Sequence, residues 1–157
     1  MIKRYSAHSV FPVFSKPVTK GVVETENSCI KRIIECNENL REMANMEFYN
    51  GIICPSLEPV FEGIETISLI GKISGMEHYE KFISSDPFVW MKTVSLTCKL
   101  PLEQLLHLFC SKVAEAMGRL ESCGILFPGK SPGIIVIDNI DFDTMLLTKE
   151  SLFKRLC

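Results

Sequence analysis

The side chains with chemistry to offer are three histidines, seven cysteines and a short run of aspartates, and their spacing decides what that chemistry amounts to. His8, His78 and His107 lie far apart, in different expected elements. A zinc site needs three or four ligands converging at fixed distance, so each histidine reads as an isolated surface or core residue. His107 and Cys110 form an i, i+3 pair that supplies half a metal site at most. Cysteine–histidine nucleophilic catalysis requires a thiolate beside a base and an orienting group, and nothing at short range provides them. Cys29, Cys36, Cys54, Cys98, Cys110, Cys123 and Cys157 are odd in number and never at CxxC spacing. That suits free thiols, buried as small hydrophobes in a reducing cytoplasm, better than a disulfide framework. Asp138, Asp141 and Asp143 follow an expected strand and carry carboxylates that suit a hard cation. The central glycine and closing glutamate of a calcium loop are missing, however, and a solvated turn is expected. Pro128-Gly129-Lys130 lacks the upstream glycine and Lys-Ser/Thr ending of a phosphate loop, which leaves Lys130 as an exposed turn residue. No catalytic, cofactor-binding or metal-ligating residue is assigned, and no cofactor is expected.

The elements that must carry these residues follow from composition and pattern. With 157 residues, 46% hydrophobic, 23% charged and a net charge of -2, the chain suits one globular domain spanning residues 1–157. There is no basic excess to attract nucleic acid. No apolar run approaches the roughly 20 residues of a membrane span, and Met1-Ile2-Lys3-Arg4 leads into no apolar stretch resembling a signal peptide. No nucleic-acid or membrane partner and a cytoplasmic location are therefore expected.

The first 55 residues read as β. Lys3–His8 and Val10–Phe14 are short extended runs, Gly21–Glu26 is a strand, Asn27-Ser28 a turn, and Cys29–Glu35 the returning strand of a hairpin. Asn37 caps a short polar helix reaching about Asn45, and Phe48–Pro55 is a further strand. Glu58–Ile73 fits helix or strand equally. Met76–Ile83 reads as a short helix, and Phe88-Val89-Trp90-Met91 is an apolar cluster suited to core or contact surface. Residues 101–117 give the clearest helix, with Pro101 in its first turn, Leu102, Leu105, Leu106, Phe109, Val113 and Met117 on one face, and Gly118 as C-terminal cap. Gly133–Asp138 is a buried strand and Met145–Thr148 another. Thr148–Ser151 ends the fold in a tail or helical turn.

Two separated blocks point to one family. The two opening strands, the Gly21-Val22-Val23 hairpin and the Ile52-Ile53-Cys54-Pro55 strand resemble the N-terminal strands of the amidohydrolase superfamily, especially its cytosine-deaminase-like and chlorohydrolase-like branch. Residues 100–155, with a Leu-x-Leu-Glu-x-Leu-Leu helix, Ala116-Met117-Gly118, Gly124-Ile125-Leu126-Phe127-Pro128-Gly129-Lys130 and Gly133–Asp138, resemble the same family's C-terminus. The resemblance implies an α+β fold: a small composite β-sandwich built from both chain ends, with strands from 2–55 and 124–148, plus a few helices. In the family that sandwich lies beside a metal-bearing (β/α)8 barrel of about 250 residues. Here only residues 56–99 separate the two blocks, so the barrel is absent and 57–98 is its short replacement.

The family's paired metal-binding histidines follow the strand ending at Pro55, and the matching positions here hold Phe61 and Gly63. Neither ligates a metal. The resemblance therefore implies a non-catalytic remnant or paralogue of an amidohydrolase, acting as an interaction or small-ligand-binding module. The alternative is a component of a metal-dependent hydrolase of non-peptide carbon–nitrogen bonds, whose barrel a partner chain supplies. A decayed or trimmed form without function is a third reading. Losing a barrel exposes apolar surface at roughly 25 cal/mol per Å². Residues 57–98 are expected to cover it through Phe61, Phe82, Phe88, Val89, Trp90 and Met91, or two chains to pair as a homodimer, or both.

Overall fold

The computed structural model describes residues 1–36 and 43–157, so the polar helix expected from Asn37 falls largely on residues outside the described ones. Seven strands form one mixed sheet: β1 Ile2–Val10, β2 Val18–Thr19, β3 Val22–Glu26, β4 Cys29–Ile34, β5 Met46–Pro55, β6 Ile134–Asp141 and β7 Leu146–Arg155. Their order is β4-β3-β1-β5-β6-β7, with β2 on β1. β1 and β5 run parallel, and every other pair is antiparallel. The β3–β4 hairpin turns on Asn27 and Ser28, at φ 52° and 63°, the left-handed pair that matches the twist of two joined strands.

The two chain ends meet at β5 and β6, where Gly51–Pro55 pair with Ile134–Asp138. Both are interior strands of the sheet, and Ile52, Ile53 and Cys54 are wholly buried. Successive side chains feed opposite faces. Ile52, Cys54, Ile135 and Ile137 join a core under the helices. Ile53, Val136, Tyr5, Ala7 and Ile30 join a second core on the other face, with Leu126 from the loop before β6.

The sheet curls around that second core. The Tyr5 hydroxyl on β1 donates to the Leu156 carbonyl just past β7 (3.3 Å), across two intervening strands. The 124–133 segment fastens the curl rather than adding the expected strand. Ile30 N–H donates to the Lys130 carbonyl and Gly129 N–H to the Ile30 carbonyl, both at 2.8 Å. Gly124, Gly129 and Gly133 all sit at positive φ, which breaks any regular strand run. Lys130 is correspondingly no exposed turn residue. Its side chain is 16% accessible, and its ammonium donates to the Leu120 carbonyl at 2.7 Å.

The helical layer comprises α1 Glu58–Phe61, α2 Thr66–Ile70, a 3-10 turn Met76–Phe82, and α3 Pro87–Cys98. Asp86 caps α3 by accepting from Phe88 N–H (2.9 Å), and Lys99 closes it at φ 55°. Trp90 and Met91 are fully buried, whereas Val89 is 49% exposed. The expected 101–117 helix is not regular throughout: α4 Leu102–Leu106 passes into a π-helical segment His107–Lys112 and then α5 Val113–Ala116. Two further expectations are corrected. Val10–Phe14 makes no second strand, because β1 ends at Val10 and Val13 turns the chain at φ 75°. Thr148–Ser151 lies inside β7, where the Thr148 and Ser151 hydroxyls both donate to the Asn139 carbonyl at 2.8 Å and fill a bulge in the ladder.

Candidate functional site

The structure places the histidines on three separate elements. His8 lies exposed on β1, with Nε2 2.6 Å from Asn50 Oδ1 and its ring edge-on to Phe48 and Phe142. His78 lies on the exposed 3-10 turn, and His107 opens the π-helical segment. Among the described residues no three histidines, cysteines or carboxylates converge as a metal-ligand set. His107 and Cys110 are not neighbours on one face: His107 is exposed and Cys110 is wholly buried. Burial pushes the Cys54, Cys110 and Cys123 thiols up, away from the thiolate form that reacts or ligates. Asp141 caps its own turn, accepting from Asp143 N–H (3.0 Å) and Thr144 N–H (3.3 Å). Hydrogen bonding to Thr144 holds its carboxyl below the usual range. Asp138 faces Gly51, and its Oδ1 is buried without a partner among the described residues.

Of the two positions that the resemblance matches to metal ligands, Phe61 serves packing and Gly63 lies exposed. The Phe61 ring lies 6.3 Å from both Trp90 and Phe109, and Trp90 meets Phe109 edge-on at 5.0 Å. Gly63 takes φ 67° at an open turn.

Several concavities open among the described residues, two of them lined by phenylalanine. One is a groove beside the free edge of β7, formed by adjoining cavities of about 440 and 750 Å³ that share Glu58, Asp86, Phe88 and Arg155. Phe88 and Phe153 stack at 4.8 Å on its floor. Its charges are largely committed. Arg155 pairs with Glu58 at 3.5 Å, Asp86 caps α3, and Lys92 donates to the Lys149 and Ser151 carbonyls on the strand edge. That lysine blocks part of the edge against strand pairing.

The other is a cavity of about 390 Å³ between the Phe11–Pro17 turn and the start of the helix. Phe11, Val13 and Leu106 give it an apolar floor, while Glu103, Gln104 and His107 contribute polar groups. Two backbone irregularities converge here. Val13 is a β-branched residue at φ 75°, a conformation costing roughly 1–3 kcal/mol. It is held because Phe11 N–H donates to the Ile53 carbonyl (2.8 Å) and the Pro12 carbonyl accepts from Leu126 N–H (2.9 Å). Opposite it the π-helical turn begins at His107. Such turns recur at functional sites.

His107 is itself held in one orientation. Ser111 Oγ lies 2.9 Å from the His107 carbonyl and 2.8 Å from His107 Nδ1. When the Ser111 hydroxyl donates to the carbonyl, Nδ1–H donates to Oγ and Nε2 keeps its lone pair; when the hydroxyl donates to Nδ1, Nε2 carries the proton. The Glu103-His107-Ser111 spacing is visible in the sequence as two i, i+4 steps, but it stands out only once Val13 closes the far wall.

Compared with known protein families, and with curated proteins, the chain matches none. The family resemblance accordingly rests on the motifs alone.

Proposed function

We propose that this chain is a non-catalytic module of amidohydrolase descent, a composite β-sandwich without its barrel, which binds a small ligand or a partner and works in the cytoplasm as a homodimer. The observation that carries the reading is the β5–β6 ladder. It pairs Gly51–Pro55 with Ile134–Asp138, so the two blocks that resemble the family's chain ends lie side by side. The curl of the sheet around a second core supports the sandwich assignment. The packing of Phe61 against Trp90 and Phe109 supports a non-catalytic role, since the matched ligand position is given over to the core. Exposed Val89 and Leu152, flanking the groove beside β7, support self-association through that face.

The test is metal content together with turnover. The purified protein, supplied with zinc during expression, should retain only traces of metal and should not hydrolyse amidine, cyclic amide or aryl-chloride substrates. One tightly held zinc or iron per chain accompanied by turnover would sink the proposal.

A further inference from the structure

We infer that the cavity between the Phe11–Pro17 turn and α4 is a binding site for a small organic ammonium ion with an apolar body. The inference rests on the ligand-binding form of the function proposed above. The cavity holds about 390 Å³, ample for a monocyclic ligand. Its floor of Phe11, Val13 and Leu106 takes apolar surface, and no lysine or arginine lines it.

Of the polar side chains that line it, Ser15, Glu103, Gln104 and His107, the Glu103 carboxylate is the acidic one. The Glu103 carboxylate lies one helical turn before His107 and enters no ion pair or hydrogen bond among the described residues. His107 Nε2 presents a lone pair in the tautomer whose Nδ1–H donates to the Ser111 hydroxyl. A carboxylate and an imidazole lone pair together match a head group that carries positive charge and several N–H donors. A carboxylate or phosphate ligand meets repulsion from Glu103, with no lysine or arginine among the lining residues to offset it. The strained Val13 and the π-helical turn fix the two walls before any ligand arrives, so little ordering remains to oppose binding. In the β7 groove Arg155 is paired with Glu58, Asp86 caps α3 and Lys92 is bound to strand carbonyls, so a cationic ligand there meets two basic side chains.

The experiment is an amide-resolved NMR titration of the intact chain with benzylammonium, with benzyl alcohol and benzoate as size-matched controls. Benzylammonium should saturate with a dissociation constant of about 1 mM or tighter, moving the amide signals of Val13, Glu103 and His107. Glu103→Gln, on an exposed side chain, should weaken it roughly tenfold without changing the fold, as should replacing the ammonium by the alcohol. The imidazole nitrogens of His107 should show the proton on Nδ1. Ser111→Ala should release that tautomer and weaken binding independently of Glu103.

Absence of saturation by about 10 mM, benzoate binding equally well, or a proton found on Nε2 overturns the inference. Zinc binding at the same amides with micromolar affinity and no response to benzylammonium overturns it in favour of a metal site. Loss of benzylammonium binding alone leaves the non-catalytic reading standing, whereas turnover with bound metal removes that reading whatever the amine does.

Discussion

Gly51→Ala tests the joint between the two chain ends. Gly51 lies opposite Asp138 on the β5–β6 ladder. A Cβ placed there would sit 2.2 Å from the Ile137 carbonyl oxygen and 2.6 Å from Asp138 Oδ1. The carboxylate can swing away, but the carbonyl belongs to the neighbouring strand. Reaching even the 3.0 Å limit requires β5 and β6 to part by about 0.8 Å at this point. That stretch carries one or two ladder hydrogen bonds beyond useful geometry, at about 1 kcal/mol each, and repacks two apolar faces. The expected loss is about 2–3 kcal/mol. For a chain of this size it lowers the thermal midpoint by roughly 4–12 °C, read by circular dichroism or calorimetry. Gly71→Ala is the control, because Gly71 has φ -67° and nothing within 4 Å of its added Cβ. It should change stability by less than about 1 kcal/mol, in the stabilising direction. Equal midpoints for the two variants would refute the claim that a close β5–β6 approach holds the chain ends together.

Trp90→Ala should cost about 3–5 kcal/mol in urea unfolding, because it empties the contacts with Phe61 and Phe109 and leaves the Tyr79 carbonyl, which accepts from Nε1–H at 3.2 Å, without that donor. Glu24, buried between Arg4 and Arg32, has its carboxyl held below the usual range, chiefly by the hydrogen bond from Arg32 and then by Arg4, against the opposing effect of burial. A depressed folded value means stability that is complete above the usual glutamate pKa of about 4.3 and lost as pH falls toward the folded value. Glu24→Gln should therefore lower stability at neutral pH and flatten the acid limb of a urea-midpoint profile, and an unchanged limb would count against the ion triad. Among the thiols, Cys98 is exposed while Cys54 and Cys110 are buried. A thiol reagent should modify Cys98 first in the native chain and reach Cys54 and Cys110 only on unfolding, with prompt labelling of Cys110 contradicting its burial.

What the sequence disclosed was decided by how local the controlling interaction is. The Asn27-Ser28 turn was legible because both residues tolerate the left-handed region that a two-residue hairpin needs. The Ile52–Pro55 strand was legible because a run of apolar residues ending in proline admits few alternatives. The 124–133 segment falls in the range from which sandwich strands were expected, but its glycines make it a clasp on the curled sheet. Met145–Thr148 reads as a strand and opens β7, but its continuation to Arg155 was hidden for the opposite reason. An edge strand needs only one apolar face, and Thr148–Ser151 answer a bulge at Asn139 rather than a core. Glu103, His107 and Ser111 were spaced for one helix face in plain view. Nothing local reveals that Val13 will adopt φ 75°, because hydrogen bonds from β5 and the 124–133 segment impose it.

The helical layer ties the fold to its proposed descent. A sheet whose central strand is buried on both faces needs a second layer, and a polar linker between β5 and the final helix would leave Ile52, Cys54, Ile135 and Ile137 in water. Residues 57–98 instead bring Val60, Leu69, Trp90, Met91 and Val94 into that core. Burying one tryptophan removes on the order of 200 Å² from solvent, about 5 kcal/mol of gross transfer energy at 25 cal/mol per Å². The same segment leaves Val89 exposed at its outer rim, beside exposed Leu152 on β7. Coverage is thus complete over the buried strands, while Ile67 on α2 stays exposed as well as Val89 and Leu152. If two chains pair through the β7 side as proposed, Val89 and Leu152 should lose solvent exposure on pairing and Ile67 should keep it.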